Sequence, residues 1–279
     1  MRRWWGGVGP LLFMCLWVAT PAVAQAPPQG PVASLGPVEL GIKGRLSLMV
    51  SGGLDLDVFG DVVMPGVSCD PSVSDVPSAC NTQTRIIQVE RPRHYPDVYV
   101  STPKRWHASV GFGFAQKDEL VVQVSGNRSA AEQNITVGEL LSGEGNRPLR
   151  ATFTSYEDLA IEGGLRHYFK AVGRSKSYVN LLYGRRKIEA IAADLIATGN
   201  DGQIGTVRFY DTATLNTAAL VFGVTYERYL VKIFVEGGFR WTAKLPQQDD
   251  DLRQLGVDMI NNSGARIFMP ASAGLLLRF

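Results

Sequence analysis

Ala265-Arg266-Ile267-Phe268-Met269-Pro270-Ala271-Ser272-Ala273-Gly274-Leu275-Leu276-Leu277-Arg278-Phe279 is the stretch that decides the fold. Counting back in twos from Phe279 gives Leu277, Leu275, Ala273, Ala271, Met269 and Ile267, all apolar. The other register gives Arg278, Leu276, Gly274, Ser272, Pro270, Phe268 and Arg266, a mixed set of small and polar residues. A period of two is a strand with two unlike faces. An apolar face opposite a small, polar one is the pattern of a strand with lipid on one side and a narrow polar lumen on the other.

The same alternation recurs along the chain. Leu46, Leu48 and Val50 alternate with Arg45, Ser47, Met49 and Ser51, and the apolar set extends back through Gly44 and Ile42 to Leu40, opposite Lys43. This strand has the option of continuing past Gly52-Gly53 to Val58. Trp106, Ala108, Val110, Phe112 and Phe114 oppose His107, Ser109, Gly111 and Gly113. Leu120, Val122 and Val124 follow the turn Gln116-Lys117-Asp118. From Tyr156 to Phe169, Leu159, Ile161, Leu165 and His167 face out, while Asp158, Glu162, Arg166 and Tyr168 face in. The segment Tyr178–Ile191 alternates poorly around Gly184-Arg185-Arg186-Lys187, which a bulge or the strand's exit from the membrane would produce. Ala218, Leu220, Phe222, Val224 and Tyr226 make a sixth outer face, and Val231, Ile233, Val235, Phe239 and Trp241 a seventh.

With the last stretch these make about eight strands. The connections run long, short, long, short, long, short, long. The long ones cover about residues 60–104, 127–152, the tract around Gly199-Asn200-Asp201-Gly202, and 245–264. Short turns on one side and long loops on the other place both chain ends on the short-turn side, which an even strand number requires. Ten strands stay open, because Thr84–Glu90 and Asp97–Ser101 in the first long connection also look extended. The fold class expected is all-β: a closed antiparallel transmembrane barrel.

The N-terminal end agrees. Met1-Arg2-Arg3, the apolar run Val8–Ala19 and the small-x-small site Ala22-Val23-Ala24 are the layout of a secretory signal peptide over residues 1–24. The run is too short for a spanning helix, which needs ~20 apolar residues. Residues 25–38, rich in Pro and Gly, read as a flexible periplasmic lead, and 39–279 as the barrel. Charged residues are only 19% of the chain and mean hydropathy is +0.01, as strands with one lipid face and one wet face should average. A net charge of +2 gives no reason to expect nucleic acid.

The signal peptide, the turn–loop rhythm and the terminal Leu275-x-Leu277-x-Phe279 together make the chain resemble the small bacterial outer-membrane barrels of the OmpA-barrel, OmpX and OmpW group. The resemblance implies the outer membrane as location, a terminal assembly signal in Leu275, Leu277 and Phe279, insertion by the barrel-assembly machinery, and contact with outer-membrane lipid and lipopolysaccharide. A monomer is expected. The first long connection is longer than in the OmpX type.

Candidate chemistry is sparse, and neither a catalytic set, a metal nor a cofactor is expected. Inward charges form the main constellation: Lys43 and Arg45, Glu162 and Arg166, then Lys232, Glu236 and Arg240. Ile161-Glu-Gly-Gly-Leu-Arg166 and Val235-Glu-Gly-Gly-Phe-Arg240 echo each other, glycine giving long charged side chains room. An eight-strand lumen is just wide enough to be filled by side chains, so this set reads as an ion-pair plug. Cys69 and Cys80, in a polar loop, are expected to form a disulfide in an exported protein. His107-Ala108-Ser109 has the spacing of a base and nucleophile on one strand face, but a lumen-lining polar pair is the plainer reading. The acidic run Asp249-Asp250-Asp251 reads as a solvated loop. Asn127-Arg-Ser, Asn134-Ile-Thr and Asn261-Asn-Ser match the N-glycosylation pattern, which has no meaning in a bacterial envelope.

The expected function is non-enzymatic: a barrel displaying long external loops for adhesion or surface contact. A narrow channel for small or hydrophobic solutes is the alternative, resting on Gly111, Gly113, Gly164, Gly223 and Gly238. A soluble lipocalin-like barrel, which faces its apolar residues inward, is the other.

Overall fold

The computed structural model describes residues 41–63, 67–68, 86–89, 92–99, 105–142, 145–170, 174–197, 203–228, 231–248, 250–251, 257–258, 261 and 265–279. The expected signal peptide and lead, with Cys69 and Cys80, lie outside the described residues. In chain order the elements are β1 (Leu46–Phe59), β2 (Asp61–Val63), β3 (Val67–Ser68), β4 (Ile86–Gln88), β5 (Arg93–His94), the one-turn helix α1 (Tyr95–Val98), β6 (Arg105–Gly113), β7 (Asp118–Ser129), β8 (Ile135–Ser142) and β9 (Gly145–Phe153). There follow β10 (Tyr156–Tyr168), β11 (Ser175–Ile188), β12 (Ile191–Ala197), β13 (Gln203–Tyr210), β14 (Ala213–Arg228), β15 (Val231–Thr242), β16 (Val257–Asp258) and β17 (Arg266–Arg278).

Eight strands close into an antiparallel barrel in the order β1-β17-β15-β14-β11-β10-β7-β6. That number decides between eight and ten. The first and last barrel strands pair over twelve positions, from Ser47 opposite Arg278 to Phe59 opposite Ile267. The seam ends on reciprocal backbone bonds: the Leu46 amide donates to the Phe279 carbonyl at 3.1 Å and the Phe279 amide to the Leu46 carbonyl at 2.9 Å. Closure leaves no unpaired edge, which is the condition for a sheet to cross a bilayer.

The faces follow the alternation. Leu48, Val50, Val110, Phe112, Leu120, Val122, Ile161, Leu165, Leu181, Phe222, Ile233, Val235, Phe239 and Leu275 all lie exposed on the outer wall. Ser47, Gln123, Glu162, Arg166, Asn180, Arg240 and their neighbours are buried inside. An apolar wall around a polar interior is the inverse of a lipocalin, and it removes the soluble reading. No helix among the described residues is long and apolar enough to cross a membrane; the crossing elements are strands.

Along β11 the outer face reads Leu181, Tyr183, Arg185, Lys187. The pairing with β10 and β14 runs without a register shift, so there is no bulge. The poor alternation is the strand leaving the apolar layer: Arg185 and Lys187 point out, and Arg186 points into the lumen. β11 has 14 residues and β14 has 16, where ~9–11 suffice to span a bilayer. The excess rises beyond the membrane at the long-connection end.

There the chain departs from the sequence reading. The long connections are not open loops. Strands β13-β12-β9-β8-β4, drawn from three of them, form one five-stranded sheet. Its inner face supplies Leu149, Ala151, Phe153, Ala193, Leu195, Val207 and Phe209, all buried. These join Val62, Val63, Tyr95, Val98, Tyr99, Tyr156 and Ile188 in one hydrophobic cluster at the barrel's mouth. The fourth long connection ties in as well: Asn261 donates from its side-chain amide to the Phe209 carbonyl at 2.9 Å and the Gln248 carbonyl at 2.7 Å.

Of the two extended segments expected in the first connection, Ile86–Gln88 is a strand. The segment from Asp97 differs: Tyr95–Val98 is helical. Pro96 sits at the helix start, where its missing amide proton costs nothing, and the Asp97 carboxylate accepts from the His94 amide at 3.0 Å.

Candidate functional site: a packed lumen beneath a folded cap

From the short-turn end upward, the lumen has three layers. The lowest is apolar. Ile42, Met49, Tyr168, Tyr178, Phe234 and Leu276 form a buried cluster. Ile42 therefore faces inward, not outward as expected, because the chain turns at Lys43-Gly44 before β1 begins. The Arg278 guanidinium lies 4.9 Å from the Tyr168 ring and donates to its hydroxyl at 2.7 Å.

The middle layer is ionic. Arg166 pairs with Glu119 at 2.9 Å, and Arg240 with Glu162 at 2.6 Å. Higher up, Arg186 pairs with Asp158 at 2.6 Å, Arg105 with Asp55 at 2.8 Å, and the Arg266 Nε with Asp57 at 2.6 Å. These arginines are essentially inaccessible to solvent. A charge withdrawn from water is tolerated only when its partner is in contact, and here each arginine has its own carboxylate.

A sixth acid, Glu236, has no arginine in contact among the described residues. Its oxygens accept from the Tyr178 hydroxyl at 2.8 Å and the Ser272 hydroxyl at 3.1 Å. His107 Nε2 lies 3.6 Å away, beyond hydrogen-bond range.

The echoed motifs thus meet only in part. Arg240 of the second reaches Glu162 of the first across the lumen, while Arg166 and Glu236 go to other partners. Their inward glycines are equivalent. A Cβ on Gly164 would stand 1.9 Å from the Leu181 carbonyl oxygen, and one on Gly238 would stand 2.1 Å from that of Leu220. Both allow a close approach of neighbouring backbones that no other residue permits.

Of the expected lumen charges, Glu162, Arg166, Glu236 and Arg240 lie inside. Lys232 faces in near the short turns and pairs with Glu227. Lys43 does not belong to the set: it is exposed in the turn before β1, and Arg45, half-buried, also precedes that strand. Missing from the sequence reading were Asp55, Asp57, Arg105, Glu119, Asp158, Arg186 and Arg266 as paired partners. Most of them sit at strand ends, where a count in twos is easily broken off.

The top layer is the cap. Arg266 stands under it with its guanidinium 4.6 Å from the Tyr95 ring, 4.3 Å from Tyr156 and 4.7 Å from Phe268. One cation joins a barrel carboxylate to the aromatic floor of the cap.

His107 and Ser109 are both buried, but they are not a working pair. His107 Nδ1 lies 2.7 Å from the Ser51 hydroxyl, and the Ser109 hydroxyl has no hydrogen-bond partner among the described residues. Ser51, His107 and Glu236 stand in the order of a nucleophile, base and acid. The Glu236 oxygens accept from Tyr178 and Ser272, and His107 packs on Phe234 at 5.9 Å between centroids.

Of the glycines thought to thin the lumen, Gly111 and Gly223 lie against side chains, and Gly113, like Gly164 and Gly238, lies against a neighbouring backbone carbonyl. A Cβ on Gly111 would meet the Glu119 carboxylate at 2.4 Å, and one on Gly223 the Tyr178 ring at 2.2 Å. In the acidic run, the Asp251 carboxylate accepts from the Arg208 amide at 3.1 Å, on the edge of the cap sheet; Asp249 lies outside the described residues. Among the described residues no cluster of three His, Cys, Asp or Glu is placed to hold a metal.

The chain is a closed eight-stranded membrane barrel with a folded cap. It has the architecture of the small outer-membrane barrels. No family model matches it, and no curated protein does. Among solved structures it is similar to Neisserial surface protein A, with 10% identity, a TM-score of 0.39, and coverage of 84% of this chain and 96% of that one. It is similar to Ail, the attachment invasion locus protein of Yersinia pestis, with 8% identity, a TM-score of 0.36, and coverage of 85% and 100%. The outer membrane protease OmpT from Escherichia coli gives 13% identity, a TM-score of 0.41, and coverage of 84% and 97%. The strand pairing and closure described above define the fold.

Proposed function

We propose that this chain is a non-enzymatic outer-membrane protein in which a plugged barrel serves as the stem for a rigid β-sheet platform presented at the cell surface for adhesion or partner contact. The observation that carries this reading is the joining of three long connections into one antiparallel sheet over a lumen filled by paired charges. Loops that only avoided interfering would not need a common hydrophobic core. A platform does, because its outer residues must hold fixed positions. The packed lumen supports this reading over a solute channel.

On the same reading the chain is exported through its signal peptide, closes Cys69 to Cys80 in the periplasm, and is inserted as a monomer by machinery that reads Leu275, Leu277 and Phe279. Planar-bilayer recording of refolded protein tests it. The expected result is no stable single-channel current. Steady conductance steps that scale with salt would refute the plugged stem and revive the channel.

A further inference from the structure

The short-turn end of the barrel is one stitched surface. The chain enters across it, and backbone hydrogen bonds pass from turn to turn. The Ile42 amide donates to the Gln116 carbonyl at 3.2 Å, and the Tyr168 amide to the Lys117 carbonyl at 2.8 Å. The Phe169 amide donates to the Ser177 carbonyl at 3.0 Å, and the Glu227 amide to the Arg174 carbonyl at 2.9 Å. Ile42, packed into the lowest lumen layer, pins the entering segment from above.

The charge on this surface is one-sided. Lys43 and Arg45 come from the entering segment, Lys117 from the turn between β6 and β7, and Lys170 and Arg174 from the turn between β10 and β11. Four of the five are exposed and Arg45 is half-buried. None has a carboxylate in contact among the described residues. The acids at this end are already taken. Asp118 meets His167 at 2.7 Å, Glu227 meets Lys232, and Glu119 lies inside the lumen on Arg166. The opposite end is arranged differently. Exposed Arg128, Lys187 and Arg208 there meet Glu157, Glu189 and Asp211 at 3.0, 2.7 and 3.1 Å. With a net charge of only +2 for the whole chain, five unpaired cations on three bonded segments are a local concentration of one sign. Such a surface raises the local potential and draws in anions.

The position of the cations selects the anion. Phe114 and Phe169 stand exposed on the outer wall at the foot of the apolar belt, where aromatic residues border the acyl layer. Lys117 and Lys170 follow them in the chain, beyond that border. The face therefore looks along the barrel axis into water. Its cations are spread over three segments, which suits a repeated anion better than one small ion. Lysine, the commonest of the five, takes such charges as a point cation on a flexible stem, without a fixed geometry.

We infer that this basic face docks the barrel on peptidoglycan, through the carboxylates spaced along its peptide stems. A stem moored in this way would hold the surface platform against load. The inference rests on the barrel spanning the outer membrane with its short turns in the periplasm.

Co-sedimentation of the detergent-purified protein with protein-free sacculi tests it. The protein should pellet at about 0.05 M salt and be released at about 0.5 M, where screening is strong. Lys43→Gln/Lys117→Gln/Lys170→Gln/Arg174→Gln should lower pelleting about tenfold. Sacculi whose carboxylates have been amidated should lower it as much. Arg128→Gln/Arg150→Gln/Lys187→Gln/Arg208→Gln, which removes the same charge from the other end, should pellet like the unaltered chain. Equal pelleting by the two variants, or undiminished pelleting on amidated sacculi, overturns the proposal. Release by glycerol phosphate at concentrations where a soluble muropeptide releases nothing also overturns it, and assigns the face to lipid phosphates. The amidated sacculi are read with the unaltered chain, so that arm decides even where a variant does not fold. Loss of heat-modifiable migration by the unaltered chain would overturn the membrane reading itself, whereas failure to pellet with migration intact overturns the docking face alone.

Discussion

Arg186 and Glu236 show the two ways this lumen handles charge. Arg186 is fully enclosed and bound to Asp158. Arg186→Ala leaves the Asp158 carboxylate buried without its cation, and breaking a buried pair costs ~3–5 kcal/mol. The urea midpoint of the folded band should fall accordingly, and Arg186→Met with Asp158→Leu should recover most of the loss. Glu236 is held by two hydroxyls and no arginine. Glu236→Gln keeps an acceptor for one hydroxyl and reverses the other contact, the amide N–H donating to that hydroxyl oxygen, and is expected to lose only ~1 kcal/mol. Glu162→Gln, which leaves Arg240 buried without an anion, should lose several times more in the same assay. Equal losses would mean that Glu236 carries an ionic role its neighbours do not show. The sequence displayed Glu162, Arg166, Glu236 and Arg240 on the inner face. Which carboxylate each arginine takes was not legible, since a strand's own spacing says nothing about what faces it across the lumen.

The cap elements were the least legible. Leu149, Ala151 and Phe153 alternate, as do Ile191, Ala193 and Leu195, and then Val207 and Phe209. Each run is short, and each would bury its apolar face only if the other runs came to meet it. Phe209 is fully buried and stands 5.4 Å from the Phe153 ring. Phe209→Ala should cost ~3–5 kcal/mol of cap packing. The expected signature is new protease cleavage in residues 130–155 and 190–212 with the barrel still heat-modifiable. Loss of both together would show that cap and barrel fold as one unit.

Tyr95 and Tyr99 offer a second probe of the cap. Burial pushes the Tyr95 hydroxyl up to about 12, and burial likewise holds Tyr99 well above its usual value. A folded pKa above the unfolded one stabilises the neutral side chain fully below about pH 10. That contribution is lost as the pH rises from there toward 12. Tyrosinate absorbance should therefore lag the exposed tyrosines, and protease sensitivity of the cap should rise over the same interval. Ionisation of every tyrosine near pH 10 with the cap intact would contradict the buried floor.

At the scale of the molecule, the outer wall decides everything above it. In a background lacking Cys69 and Cys80, cysteines placed at Val235 or Leu277 should resist a water-soluble maleimide in intact vesicles, while one at exposed Arg150 on β9 should react at once. Free labelling at Val235 would sink the membrane reading. The chain by itself determined the barrel: an even count of about eight strands with ten left open until the pairing closed it at eight, which face of each strand meets lipid, and which end carries the short turns. All three follow from a period of two and from connection length, which are local properties. The tertiary structure alone decided that three of the long connections fold into one sheet and that five arginines find five carboxylates. Those depend on which strands stand next to each other and on what crosses a lumen. Contacts of that kind join residues distant in the chain, and no stretch of sequence records both partners.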